Sequence, residues 1–223
     1  MIVLVRHGEA THHTMRMTGG WTDSVLTERG KKQIRQVAVS LAEDFKNSMN
    51  KPRILASDLK RASASAEIIA DALHLSGSVE LCSFLREKNN GVGAGLTEEQ
   101  ARRYFIKSRD KHVLDHSNYP GGETRREFFL RTVRSLWEYA DLEKEDLIVV
   151  AHKGTIQNII FKWLGMDIEE VAERNFSVDI LPASVSVLGI NRWQEHAIFM
   201  LNNTLPEIFT GGLGITDFKY RKK

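Results

Sequence analysis

The chain of 223 residues is 42% hydrophobic and 27% charged, with a formal net charge of +2, all ordinary for a globular protein. So small an excess of positive charge gives no footing for a nucleic acid or membrane partner, and no apolar run is long enough to span a bilayer. The lone Cys82 excludes an intrachain disulfide and suits a reducing compartment.

The first predicted element is a buried strand, Ile2-Val3-Leu4-Val5, running into Arg6-His7-Gly8-Glu9. This apolar run is too short for a signal peptide and starts at residue 2, so a cytoplasmic protein without a leader is expected. A polar loop over 8–26 leads to Thr27, an N-cap for a helix whose Ile34, Val37, Ala38, Leu41 and Phe45 recur at helical spacing. A short strand over 53–56 follows, then Ser57-Asp58 as the cap of a helix burying Ala62, Ala66, Ile69 and Leu73.

A strand near 79–81 precedes a less regular stretch containing Leu85-Arg86-Glu87 and the turn-forming Gly91, Gly93 and Gly95. Thr97 with Gln100, and Thr124 with Glu127, read as capping boxes, the first for a helix to about Ser108 and the second for one through Trp137 and Ala140. The run Leu147 to Ala151 is a second buried strand, ending in His152-Lys153-Gly154 before a helix that carries Ile156, Ile159, Ile160 and Trp163. Strands near 184–190 and 196–201 complete the pattern, and the basic end Lys219–Lys223 reads as a solvated tail.

Alternating strands and helices predict a single three-layer α/β/α domain over 1–223 with a mostly parallel sheet and a small cap at about 85–122. Open α/β sheets bind ligands at the carboxyl ends of their strands. Two strand-end histidines, one beside an arginine and a permissive glycine, suggest one phosphate-handling site built from both halves of the chain.

The landmarks Arg6-His7-Gly8-Glu9, Gly20-Trp21, Leu26-Thr27 with Gly30, Ser57-Asp58-Leu59-Lys60-Arg61-Ala62, Leu85 with Glu87, Pro120-Gly121-Gly122-Glu123 and Ala151-His152 with Gly154 occur in order along the chain. Together they resemble the histidine phosphatase superfamily, which includes the phosphoglycerate mutases. The resemblance implies a phosphoglycerate mutase-like fold, His7 as nucleophile, Glu87 as proton donor, His152 as second catalytic histidine, and Arg6, Arg61 and His152 as phosphate ligands. Physical chemistry agrees: phosphoryl transfer relies on positioning and positive electrostatics, and guanidinium forks fit phosphate oxygens. A hydrogen bond near Gly8 is expected to fix the His7 tautomer, and the arginines to keep its ring neutral.

His13 stands where many members carry a phosphate-binding asparagine, so it is a candidate phosphate ligand whose donor strength depends on pH. Thr11, Trp21, Lys88 and Lys153 are candidate substrate contacts. No metal and no cofactor are expected: His12 and His13 read as solvated loop histidines, and no paired metal-ligand motif is present. The stretch between Glu87 and His152 is short beside that of the mutases, which favours hydrolysis of a small phosphate monoester over a mutase reaction, with a non-catalytic phosphate-binding module as the third reading. The expected partner is a small phosphorylated metabolite; whether the chain forms a homodimer is left open.

Overall fold

The computed structural model describes residues 1–109, 113–206 and 211–216. Its sheet has the order β3-β2-β4-β1-β5-β6, with β1 Ile2–Arg6, β2 Arg53–Ala56, β3 Val79–Leu81, β4 Leu147–Ala151, β5 Val185–Ile190 and β6 His196–Asn203. β3, β2, β4 and β1 pair in parallel, whereas β5 and β6 are antiparallel additions at one edge. Residues of β1 alternate between two cores, as the pleat requires. Val3 and Val5 pack under α2 (Glu28–Phe45) and α3 (Lys60–Ala72), through Ile34, Leu41, Phe45 and Ile69. Ile2 and Leu4 face the opposite layer, where α5 (Arg125–Tyr139) and α6 (Lys153–Trp163) contribute Leu136, Ile156, Ile159 and Trp163. The protein is therefore a three-layer α/β/α structure around a mixed, mostly parallel sheet.

Register places the site. Arg6 pairs with Ala151, and Ala56 with Val150, so Ser57, His152 and His7 leave three adjacent parallel strands side by side. The ladder continues one step further, with Ser57 N donating to Val150 O at 3.0 Å and His7 N to Ala151 O at 3.0 Å.

Four local expectations change. The 8–26 loop contains a helical turn, α1 (Thr11–Thr14). The helix expected to reach Ser108 is α4 (Glu98–Ala101) followed by a 3-10 turn over Arg102–Tyr104; the apolar Tyr104, Phe105 and Ile106 are consecutive rather than at helical spacing, and they stay exposed. α3 takes Leu59 rather than Ser57 or Asp58 as its N-cap, since Ser57 Oγ faces His152 and Asp58 faces Arg86. An additional helix, α7 (Ile168–Glu173), opens on an Asp167–Glu170 capping box. Between β3 and α5, the stretch holding the expected cap carries no strand among its described residues. Lys219–Lys223 lies outside the described residues.

Candidate active site

His7 is buried, and its Nδ1 lies 2.8 Å from Gly8 O. A carbonyl only accepts, so Nδ1 carries the proton and Nε2 keeps its lone pair. Arg61 Nε donates to that Nε2 at 3.3 Å. Glycine is required beside it: a Cβ on Gly8 would lie 2.5 Å from Gly30 O, and one on Gly30 only 1.9 Å from Glu9 O. The Thr27-to-Gly30 turn is thus the seat on which the Gly8–Glu9 backbone rests. Glu9 itself is occupied there, accepting from Thr27 Oγ1 at 2.7 Å and pairing with Arg29.

Arg61 is 1% exposed, and none of the carboxylates pairs with it among the described residues. Its guanidinium is solvated instead by Gly20 O at 2.7 Å, Thr22 O at 2.8 Å and Ser24 Oγ at 3.2 Å. Burial lowers its pKa to about 10, with Arg6 pushing the same way and Glu87 opposing. Arg6 donates to Ile180 O at 2.5 Å and lies 3.0 Å from His13 Nε2, while its Nε is buried without a partner. His152 stands 5.1 Å from His7 between ring centres; its Nε2 meets Ser57 Oγ at 2.8 Å and its buried Nδ1 has no partner. Burial first, then neighbouring positive groups, hold both His7 and His152 well below the usual imidazole pKa, so both rings are neutral near pH 7.

α1 turns its two histidines inward. His12 is buried against Ser24 Oγ at 2.9 Å, and burial with His13 and the arginines lowers its pKa to about 3. The expectation of solvated loop histidines is therefore corrected. His13 Nδ1 receives Ala10 N–H at 3.1 Å while its Nε2 faces Arg6 Nη2. A neutral imidazole has one acceptor nitrogen, so two donors compete for it, and an external acceptor is needed to satisfy both. With its pKa lowered to about 4, chiefly by burial, His13 stays neutral at physiological pH, and its expected pH dependence moves into acid.

One nitrogen from each of His7, His12 and His13 lies within 4.8 Å of the others, a spacing that invites a metal ion. The donor set does not fit one. His7 Nε2 already accepts from Arg61, His13 Nε2 faces Arg6, and a divalent cation would meet both guanidiniums.

Glu87 lies close enough to Arg6 and Arg61 to oppose the lowering of their pKa. Its Oε2 accepts from Gly154 N at 3.0 Å, at the start of α6, and its Oε1 from Lys88 N at 2.8 Å. A Cβ on Gly154 would lie 2.5 Å from Glu87 Oε1. Trp21 donates from its indole to Glu87 O at 2.8 Å and lies under the Arg86 guanidinium. Arg131, which sequence reasoning passed over, clamps this loop: it donates to Phe84 O, Arg86 O and Glu87 O and grips both oxygens of Glu123. Its contacts are remote in sequence, so no local pattern announces them.

The candidate substrate contacts diverge. Lys153 pairs with Asp179, Trp21 supports the Glu87 loop, Thr11 begins α1, and Lys88 borders a cavity beyond Glu87.

A sequence model of the histidine phosphatase superfamily (branch 1) matches residues 2–203. The chain belongs to that superfamily. Within it, the chain is 32% identical over 164 residues to phosphoglycerate mutase-like protein 4 of Arabidopsis thaliana, covering 71% of this chain and 68% of that protein. It is 30% identical over 195 residues to a metal-independent phosphoserine phosphatase of the same plant, covering 85% and 76%. Among solved structures, the mycobacterial glucosyl-3-phosphoglycerate phosphatase in complex with VO3 superposes with a TM-score of 0.70 at 23% identity, over 91% of this chain and 99% of that one. An alpha-ribazole phosphatase from Shigella flexneri gives 0.69 at 21%, over 91% and 96%. These likenesses establish a fold shared with histidine phosphatases.

Proposed function

We propose that the protein hydrolyses a small phosphate monoester through a phosphohistidine on His7, without a metal. The observation that carries this reading is the pair of buried nitrogens around His7 that lack partners, Arg6 Nε and His152 Nδ1. They accompany two guanidiniums that have no carboxylate beside the nucleophile. Leaving buried donors unmade is costly, and a phosphoryl group offers the acceptors they lack.

In the first step, His7 Nε2 gives its lone pair to phosphorus as the ester P–O bond breaks. Nδ1–H remains on Gly8 O, so the ring is held in line. Arg6, Arg61, His13 and His152 hold the equatorial oxygens, where the charge of the transition state resides. Glu87, when protonated, passes its proton to the departing alkoxide. As a carboxylate it then takes a proton from water, whose oxygen attacks phosphorus; the P–N bond breaks, returning the lone pair to Nε2 and releasing phosphate.

Trapping tests the reading. Brief incubation with a labelled phosphate ester and acid-free quenching should give one acid-labile, base-stable phosphoenzyme, absent from His7→Ala, and chelators should leave turnover intact. A phosphoenzyme that persists in His7→Ala would overturn the assignment of the nucleophile. Activity that depends on a bisphosphate primer, with phosphate moved rather than released, would favour the mutase reading instead.

A further inference from the structure

Beyond Glu87 lies a cavity of about 460 Å³ bordered by Lys88, Arg125, Phe128, Asn158 and Phe161. It shares Glu87 and Gly154 with the site around His7, so it is the space that the alcohol portion of a bound ester would enter. The cations around it differ in one respect. Arg86 is paired with Asp58, Arg126 with Asp115 and Glu169, Arg131 with Glu123, and Lys153 with Asp179. Lys88 and Arg125, both half-buried, have no carboxylate partner among the described residues. The nearest acids to Lys88 are engaged elsewhere: Glu123 by Arg131, Glu127 by the Thr124 cap, and Glu87 by two backbone amides. Burial lowers the pKa of both cations, for Lys88 against the weaker opposing pull of Glu123, Glu87 and Glu127, so neither charge removed from water is fully offset. On the same wall, Asn158 is 7% exposed and its buried Nδ2 has no acceptor.

We infer that Lys88, Arg125 and Asn158 form a subsite for a second anionic group, carboxylate or phosphate, on the alcohol portion of the substrate. The inference rests on the phosphomonoesterase reading for its first anion and deepens it by naming the substrate class. Each partner suits the role. The Arg125 fork fits two oxygens of a carboxylate or phosphate, Lys88 supplies a point charge, and the Asn158 amide fills a remaining lone pair. Phe128 and Phe161 give the connecting carbons an apolar wall, as ligand pockets commonly do.

Calorimetry with phosphonates, whose C–P bond cannot be hydrolysed, separates this subsite from catalysis. ω-Carboxyalkyl phosphonates of increasing length are compared with alkyl phosphonates of equal length, and α,ω-bisphosphonates form a third arm. One length of the anionic series should bind about 10- to 100-fold tighter than its alkyl match, the range for a hydrogen-bonded charge. Arg125→Gln should collapse that ratio, and Arg125→Lys should restore part of it. Whichever series gains more tells carboxylate from phosphate. Equal affinity for matched anionic and alkyl compounds in the unaltered protein, or a ratio that survives Arg125→Gln, overturns the subsite. Failure of the phosphatase reading is read independently, as absence of turnover on the matching phosphate esters.

Discussion

Gly154→Ala tests the placement of Glu87 without touching an ionisable group. The added Cβ would lie 2.5 Å from Glu87 Oε1 and 2.8 Å from Phe128 Cε1, where ordinary contact begins at 3.4 Å. The aromatic ring blocks the other direction, so the carboxylate has to retreat by about 1 Å, stretching its 3.0 Å bond from Gly154 N. A displacement of about 1 Å can cost roughly 100-fold in rate, and proton transfer as a whole is worth roughly 10²–10⁴-fold. An alkyl phosphate, whose leaving group needs the proton, should therefore lose about 100-fold in the rate of phosphoenzyme formation. Nitrophenyl phosphate, whose leaving group departs unprotonated, should lose far less. Rapid-quench bursts with both esters measure this, and thermal melting confirms that the variant folds. Equal slowing of both bursts would refute the reasoning, because the substitution would then be acting on His7 or the phosphate ligands.

Glu87→Gln should reproduce that contrast more strongly, by roughly 10²–10⁴-fold on alkyl esters, and an indifferent burst would remove Glu87 as the acid. His13→Asn should keep inorganic phosphate affinity close to that of the unaltered protein, whereas His13→Phe should weaken it up to about 10-fold, the worth of a neutral hydrogen bond; calorimetry that finds both variants equally weak would show that the ring's shape, not its donor, matters. Acid stability follows from the histidines. His12 and His13 have folded pKa values of about 3 and 4 against an ordinary 6.5, and His7 and His152 also lie well below it. The unfolded chain therefore binds more protons, so the stabilisation is complete above pH 6.5 and is lost as pH falls toward 4. Urea midpoints should drop across this window before carboxylates titrate, and less steeply in His12→Asn; a flat profile would mean the rings are already charged or exposed.

Much of the fold was legible because its signals are local. Apolar runs marked β1, β2 and β4, and capping residues marked α2 and α5. α7 carried the same kind of signal, since Asp167 and Glu170 form a capping box, but it was passed over. The 98–109 stretch misled for the opposite reason: a correct capping box started α4, but the apolar residues that follow, Tyr104, Phe105 and Ile106, are consecutive and exposed and bury no helical stripe. For His12 the local view failed outright. Polar neighbours suggest solvent, whereas one helical turn swings the ring onto Ser24.

The site divides along the same line. His7 and His152 end strands, so the strand ends were enough to suggest one site, whereas Ser57, which reads as a helix cap, joins them only through the pairing of β2 with β4. Arg131, Arg125 and Asn158 owe their placement to packing between remote elements, and charge alone did not distinguish them from solvated residues. What links the two groups is the treatment of buried cations. Arg61 is held by neutral acceptors, including His7 Nε2, rather than by a carboxylate. A carboxylate there would satisfy the guanidinium permanently and compete with any phosphate. Carbonyl oxygens and an imidazole keep the arginine in place yet leave its charge uncancelled. That same uncancelled charge helps keep His7 neutral, so in the proposed reaction one arrangement would both attract a phosphate and preserve the lone pair that attacks it.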